Sequence, residues 1–85
     1  MWRLVFTKRA RKDILPLEKA VAKRIVARLD KALLNPKHFF SEIVGSPYHK
    51  LRAGDYRIIV VLLPAKKLIE VRRIGHRRNI YKRIR

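Results

Sequence analysis

Apolar and polar positions alternate from the start of the chain. Trp2, Leu4 and Phe6 fall on one side and Arg3 and Val5 on the other, the period of two of a short strand. Thr7 is placed to cap a helix that begins at Lys8, with Ala10 and Ile14 on one face. Pro16 interrupts that helix, because the residue before a proline avoids helical geometry. The proline itself is expected in the first turn of a second helix. There Val21, Ile25, Leu29 and Ala32/Leu33 recur at i, i+4 spacing. Lys19, Lys23, Arg24, Arg28 and Lys31 point mostly elsewhere and read as a solvated outer face. Asn35-Pro36 ends the helix, and residues 36–47 read as a connection with Phe39, Phe40 and Ile43 tucked beneath it.

The second half of the chain changes period. Tyr48 to Arg52 reads as a strand, followed by a turn at Ala53-Gly54-Asp55. Tyr56 to Leu63 is nearly continuously apolar, as expected of a central strand covered on both faces. Pro64-Ala65-Lys66-Lys67 is the next turn, and Leu68 to Ile74 the last strand. Arg78 to Arg85 is compatible with a short terminal helix. The order is strand, two helices and an antiparallel three-stranded meander. The expected class is α+β: a small antiparallel sheet, formed by the N-terminal strand and the C-terminal meander, with two N-terminal helices packed on it.

Composition narrows the function. The 85 residues are expected to form one domain, 1–85. No cysteine is present, so disulfides and zinc–thiolate sites are excluded. His38, His49 and His76 are scattered, and neither a metal nor another cofactor is expected. No apolar run approaches the ~20 residues of a membrane span. The first six residues are charged too soon for a signal peptide, so the expected location is the cytoplasm, with no membrane partner. Twenty-three Lys and Arg against six Asp and Glu leave a net charge of +17. Such an excess calls for a polyanionic partner, nucleic acid first and an acidic protein second.

Alternation places Tyr48, Lys50 and Arg52 on one strand face, with His49 and Leu51 on the other. By the same rule Arg73 shares a face with Ile69 and Val71. Arg57 opens the central strand, and the two strands meet across the 53–55 turn. Lys50, Arg52, Arg57, Arg77 and Arg78 are therefore expected to build one basic surface. The end of the chain adds His76 and Tyr81. RNA cleavage needs a base to take the 2′-OH proton, fixed cations to stabilise the phosphorane, and an acid for the leaving 5′-oxygen. DNA lacks the 2′-OH. Histidine suits acid or base work, whereas arginine serves as a fixed charge. Tyr81 suits stacking or a phosphate hydrogen bond.

The segments Leu51-Arg52-Ala53-Gly54-Asp55-Tyr56-Arg57 and Gly75-His76-Arg77-Arg78-Asn79-Ile80-Tyr81 resemble the RelE/ParE superfamily of toxins from toxin–antitoxin pairs. Phe6-Thr7-Lys8-Arg9-Ala10 and the helix ending at Asn35-Pro36 are similar too, so the likeness covers nearly the whole chain. For the RelE branch it implies a metal-independent, ribosome-dependent endoribonuclease that cuts messenger RNA in the A site and inhibits translation. The implied roles are base or phosphate contact for Lys50, phosphate binding and transition-state charge for Arg57 and Arg77, and stacking or proton positioning for Tyr81. His76 matches a histidine that some branches use as acid or base, which leaves the general base open between His76 and Lys50. Arg52, Arg73, Arg78, Lys82 and Arg83 are the expected RNA-binding residues. The chain departs from the best-known pattern at Tyr48, where a second lysine can stand, and Tyr81 follows the arginine sooner. The resemblance also implies an acidic, partly disordered RelB-like antitoxin that wraps and neutralises the toxin in a heterotetramer. The ParE branch shares the fold but is implied to poison DNA gyrase. A basic RNA-binding protein without catalysis is the third reading. The net charge favours RelE.

Overall fold

A computed structural model describes residues 1–79. The elements run β1 (Arg3–Phe6), α1 (Lys8–Ile14), α2 (Lys19–Ala32), α3 (Pro36–Phe39), β2 (Ser41–Glu42), β3 (His49–Ala53), β4 (Tyr56–Leu63) and β5 (Leu68–His76). The five strands form one sheet in the order β1-β5-β4-β3-β2. The α+β class holds, with the meander β3–β4–β5 at its centre. The sheet is mixed, because β1 joins β5 in parallel register while every other pair is antiparallel. Parallel neighbours need a long crossover, and the helices and the meander supply it.

The local chemistry follows the sequence closely at the first helix. The Thr7 side chain accepts a hydrogen bond from the Ala10 backbone N–H at 3.1 Å, a helix N-cap. Pro16 lies outside α2, in a turn closed by Leu17 N–H to the Ile14 carbonyl, and Glu18 takes the cap position. α2 buries Ile25, Leu29 and Ala32 completely. They meet Leu51, Ile58, Val60, Ile69, Val71 and Ile74 from the sheet in one apolar cluster. Ile58, Ile59 and Val60 are all fully buried, as expected of a central strand. The 36–47 connection carries more structure than its sequence suggested. Asn35-Pro36 starts α3 as well as ending α2, and Ser41–Glu42 pairs with His49–Lys50 at the sheet edge. One turn and two paired residues are too short to leave a periodic signal.

Two features of β5 set the directions of its side chains and the cover of its edge. Its register against β4 shifts between Ile59 and Val60, so Ile59 faces Arg73 while Val60 faces Val71. Arg72 is the extra residue of a β-bulge. Strict alternation would put Arg73 with Ile69 and Val71. The bulge instead gives that face to Ile74 and turns Arg73 away. The outer edge of β5 beyond β1 is covered by α1. Thr7 donates its N–H to the Val71 carbonyl at 3.0 Å and its hydroxyl to the Arg72 carbonyl at 3.3 Å. The Asp13 carboxylate then accepts the Ile74 N–H at 2.9 Å. Helical cover of this kind protects a strand edge. After β5 the chain turns at 77–79, closed by Asn79 N–H to the His76 carbonyl at 3.0 Å. The rest of the expected terminal helix lies outside the described residues.

Candidate functional site

The antiparallel register gathers basic side chains on the sheet face opposite the α2 core. Lys50 pairs with Ile59, Arg52 with Arg57, and Arg57 with Gly75. The pleat therefore points Lys50, Arg52 and Arg57 to the same side. A cavity of ≈ 250 Å³ opens beside β3, lined by Lys50, Arg52 and Arg57 together with Ser41, Phe39, the core-facing Leu51 and Arg28 of α2. Among the described residues no acidic side chain lines it. Two arginines directly opposite one another repel, so the Arg52–Arg57 pair weakens the sheet in the absence of an anion. Arg57 is the most telling of the group. Its Nη1 is buried and finds no hydrogen-bond partner among the described residues. A buried donor left unpaired costs ~1–3 kcal/mol, more when charged. Such a group calls for an acceptor that the described residues do not supply.

The end of β5 divides the remaining candidates. The Arg77 N–H donates to the Asp55 carbonyl at 2.8 Å, extending the β4–β5 pairing by one step. Alternation then puts Arg77 on the Arg57–Gly75 side, at an exposed position. His76 falls on the other side. It pairs with Tyr56, with ring centroids 5.7 Å apart in an edge-on contact. Its Nδ1 accepts the Arg78 backbone N–H at 3.2 Å, which assigns the proton of the neutral ring to Nε2. The structure thus brings Lys50, Arg52 and Arg57 together around one cavity, whose described lining does not include Arg77, and sets His76 on the other side of the sheet. Arg73 is taken up by Asp13, whose carboxylate it meets through Nε at 2.9 Å, with both side chains nearly buried. Arg78 is exposed in the terminal turn. Tyr81, Lys82 and Arg83 lie outside the described residues. Sequence reading missed Arg28 and Ser41 as cavity walls. Arg28 looked like part of a solvated helix face, and Ser41 carried no signal. Among the described residues no group of three His, Asp or Glu is arranged to hold a metal.

A family model described as the ParE toxin of the type II toxin–antitoxin system parDE matches residues 4–81. The chain belongs to this toxin family. It is a toxin of a type II toxin–antitoxin system, RelBE-like in structure. The ParE-family chain is 25% identical to a chain of the intact Escherichia coli RelBE toxin–antitoxin complex, with a TM-score of 0.77 over 89% of this chain and 96% of that one. It is 28% identical to a chain of the RelB–RelE complex of Methanococcus jannaschii, with a TM-score of 0.73 over 95% of this chain and 99% of that one. The RelE–RelB complex of Pyrococcus horikoshii OT3 matches at 25% identity and a TM-score of 0.73, over 89% of this chain and 94% of the other. No curated protein sequence matches the toxin. Among the described residues no helix is long and apolar enough to cross a membrane.

Proposed function

We propose that this toxin is a RelE-like endoribonuclease that cuts messenger RNA in the ribosomal A site. The observation that carries the reading is a cavity of ≈ 250 Å³ walled by Arg57 and three further cations, with no acidic side chain among its described lining residues. A phosphodiester supplies the missing acceptor and the counter-charge in one group. The 2′-oxygen gives up its proton to a base and attacks the adjacent phosphorus. The 5′-oxygen leaves with a proton, and the ring closes as a cyclic phosphate. Arg57 and Arg77 stabilise the charge that develops on the phosphorane. Lys50, on their face, is the base or the contact that orients the phosphate. Tyr81 is assigned stacking on a base or positioning of a proton. The separation of His76 from this face favours Lys50 over His76 beside the reacting atoms. His76 instead holds the terminal turn. The chemistry proposed here draws its positive charge from side chains and calls on no metal.

The assay is translation in vitro with primer-extension mapping of the messenger. Ribosome-dependent cuts are expected with the wild type. Arg57→Ala and Arg77→Ala are each expected to lose about 10²–10³ in cutting rate with the fold retained, and His76→Ala to keep most of it. Intact messenger with wild-type protein sinks the reading. The ParE family match supports a second one, in which the toxin poisons DNA gyrase. Trapped DNA–gyrase complexes with uncut messenger would establish it.

These three solved relatives are complexes with antitoxins, and an acidic antitoxin is proposed here too. It would wrap the toxin as a heterotetramer and neutralise its charge in the cytoplasm. An apolar depression lined by Leu4, Val5, Phe6, Ile14 and Val26, with Arg11 at its rim, supports such a partner. Val5 and Val26 are 44% and 41% exposed there.

A further inference from the structure

The basic face of α2 is not uniformly solvated. Arg28 reaches across from the helix and donates its Nε to the Arg52 carbonyl at 3.2 Å. Arg52 in turn donates its Nε to the Gly54 carbonyl at 3.1 Å. Arg24, one helical turn before Arg28, lies over the same turn of chain. A Cβ built on Gly54 would stand 2.9 Å from Arg24 Nη1. Three guanidiniums thus converge on the β3–β4 turn. None of them is ion-paired to a carboxylate among the described residues. Arg28 and Arg52 spend Nε on backbone carbonyls, so their terminal nitrogens remain for something else. Gathering three like charges is unfavourable until an anion joins them. Arginine presents the planar fork that a phosphate accepts.

We infer that Arg24, Arg28 and Arg52 form a second phosphate site, one that holds an RNA phosphodiester beside the one taken by Lys50 and Arg57. The two sites are continuous, because Arg28 and Arg52 also wall the Arg57 cavity. The inference rests on the RNA-binding part of the function proposed above and not on cleavage. An RNA strand is favoured over an acidic protein segment. The lining of this cavity is mostly cationic, while the apolar depression suited to a protein lies elsewhere, between β1, α1 and α2. The strand would enter over the β3–β4 turn and pass Arg52 to reach Arg57. Gly54 then has two tasks. Its φ of +61° makes the turn, and its missing side chain leaves room for Arg24.

The test is equilibrium binding of the full chain to a short single-stranded RNA and, separately, to empty ribosomes, each across a range of salt. Arg24→Gln with Arg28→Gln is expected to weaken binding about 10- to 100-fold, the loss of one charge-assisted pair. The slope of log affinity against log salt should fall by about 0.7 for one phosphate. Arg24→Lys with Arg28→Lys should keep most of that slope, which separates lost charge from lost fold. A loss on both targets assigns the phosphate to any single strand, and a loss on ribosomes alone assigns it to ribosomal RNA. Either supports the site. Unchanged affinity and slope, with Arg57→Gln still weakening binding, overturns the site and leaves the proposed function standing. Weaker binding of a Glu/Asp-rich antitoxin peptide with RNA binding intact also overturns it. Wild-type protein that binds RNA through Arg24 and Arg28 but never cuts messenger keeps the site and removes the catalytic reading.

Discussion

Two partly buried charged side chains have opposite circumstances. The Asp13 carboxylate is 11% exposed and accepts from Arg73 Nε and from the Ile74 N–H, each at 2.9 Å, with Arg9 3.8 Å away. Arg57 has a buried nitrogen that no described residue meets. Asp13 is therefore structural, and Arg57 is the residue proposed above to hold a phosphate. Asp13→Ala removes the carboxylate that accepts from both Arg73 Nε and the Ile74 N–H. Its expected cost is about 3 kcal/mol in urea unfolding. Asp13→Asn should cost less, since its amide oxygen still accepts the Ile74 N–H. Equal stability of Asp13→Ala and wild type would contradict the role. Sequence reading assigned Arg73 to RNA, because an arginine in a basic strand carries no sign of an aspartate 60 residues earlier.

Elements with a long repeating pattern were legible. α2 showed itself through Val21, Ile25, Leu29 and Ala32, and three of the four are fully buried. β4 showed itself through its apolar run. Leu29→Ala should cost about 2–5 kcal/mol in the same unfolding measurement, as for other fully buried leucines. A loss below ~1 kcal/mol would mean that the α2–sheet core is looser than the burial implies. α3 and β2 escaped because each is too short for its period to repeat. The bulge in β5 escaped for a different reason. It is a property of pairing, and an extra residue has no meaning until a partner strand is beside it. One consequence reached the site. Alternation counted along β5 alone misplaced Arg73, while the Arg57–Gly75 pair beyond the bulge fixed the sides of His76 and Arg77.

For the molecule as a whole, +17 is the controlling number. Of six acidic residues, Asp13 and Glu70 are those ion-paired to arginine among the described residues. Most of the positive charge is therefore directed outward. Binding to ribosomes should weaken linearly in log affinity against log salt, by about 0.7 per phosphate contacted on single-stranded RNA. An affinity that stays flat from low to high salt would sink the RNA-binding reading. Local pattern and simple sums along the chain were enough for the charge, the strand and helix periods, the N-cap, the meander and the family. Those depend on neighbours within a turn or on totals over the chain. Which cations cooperate was decided by the folded arrangement. Arg57 and Lys50 meet through strand register, His76 is turned away by the pleat, Arg73 is claimed by Asp13, and Arg24 and Arg28 are recruited from a helix. Each of these depends on how strands pair or on contacts between separate elements, and no period along the chain encodes it.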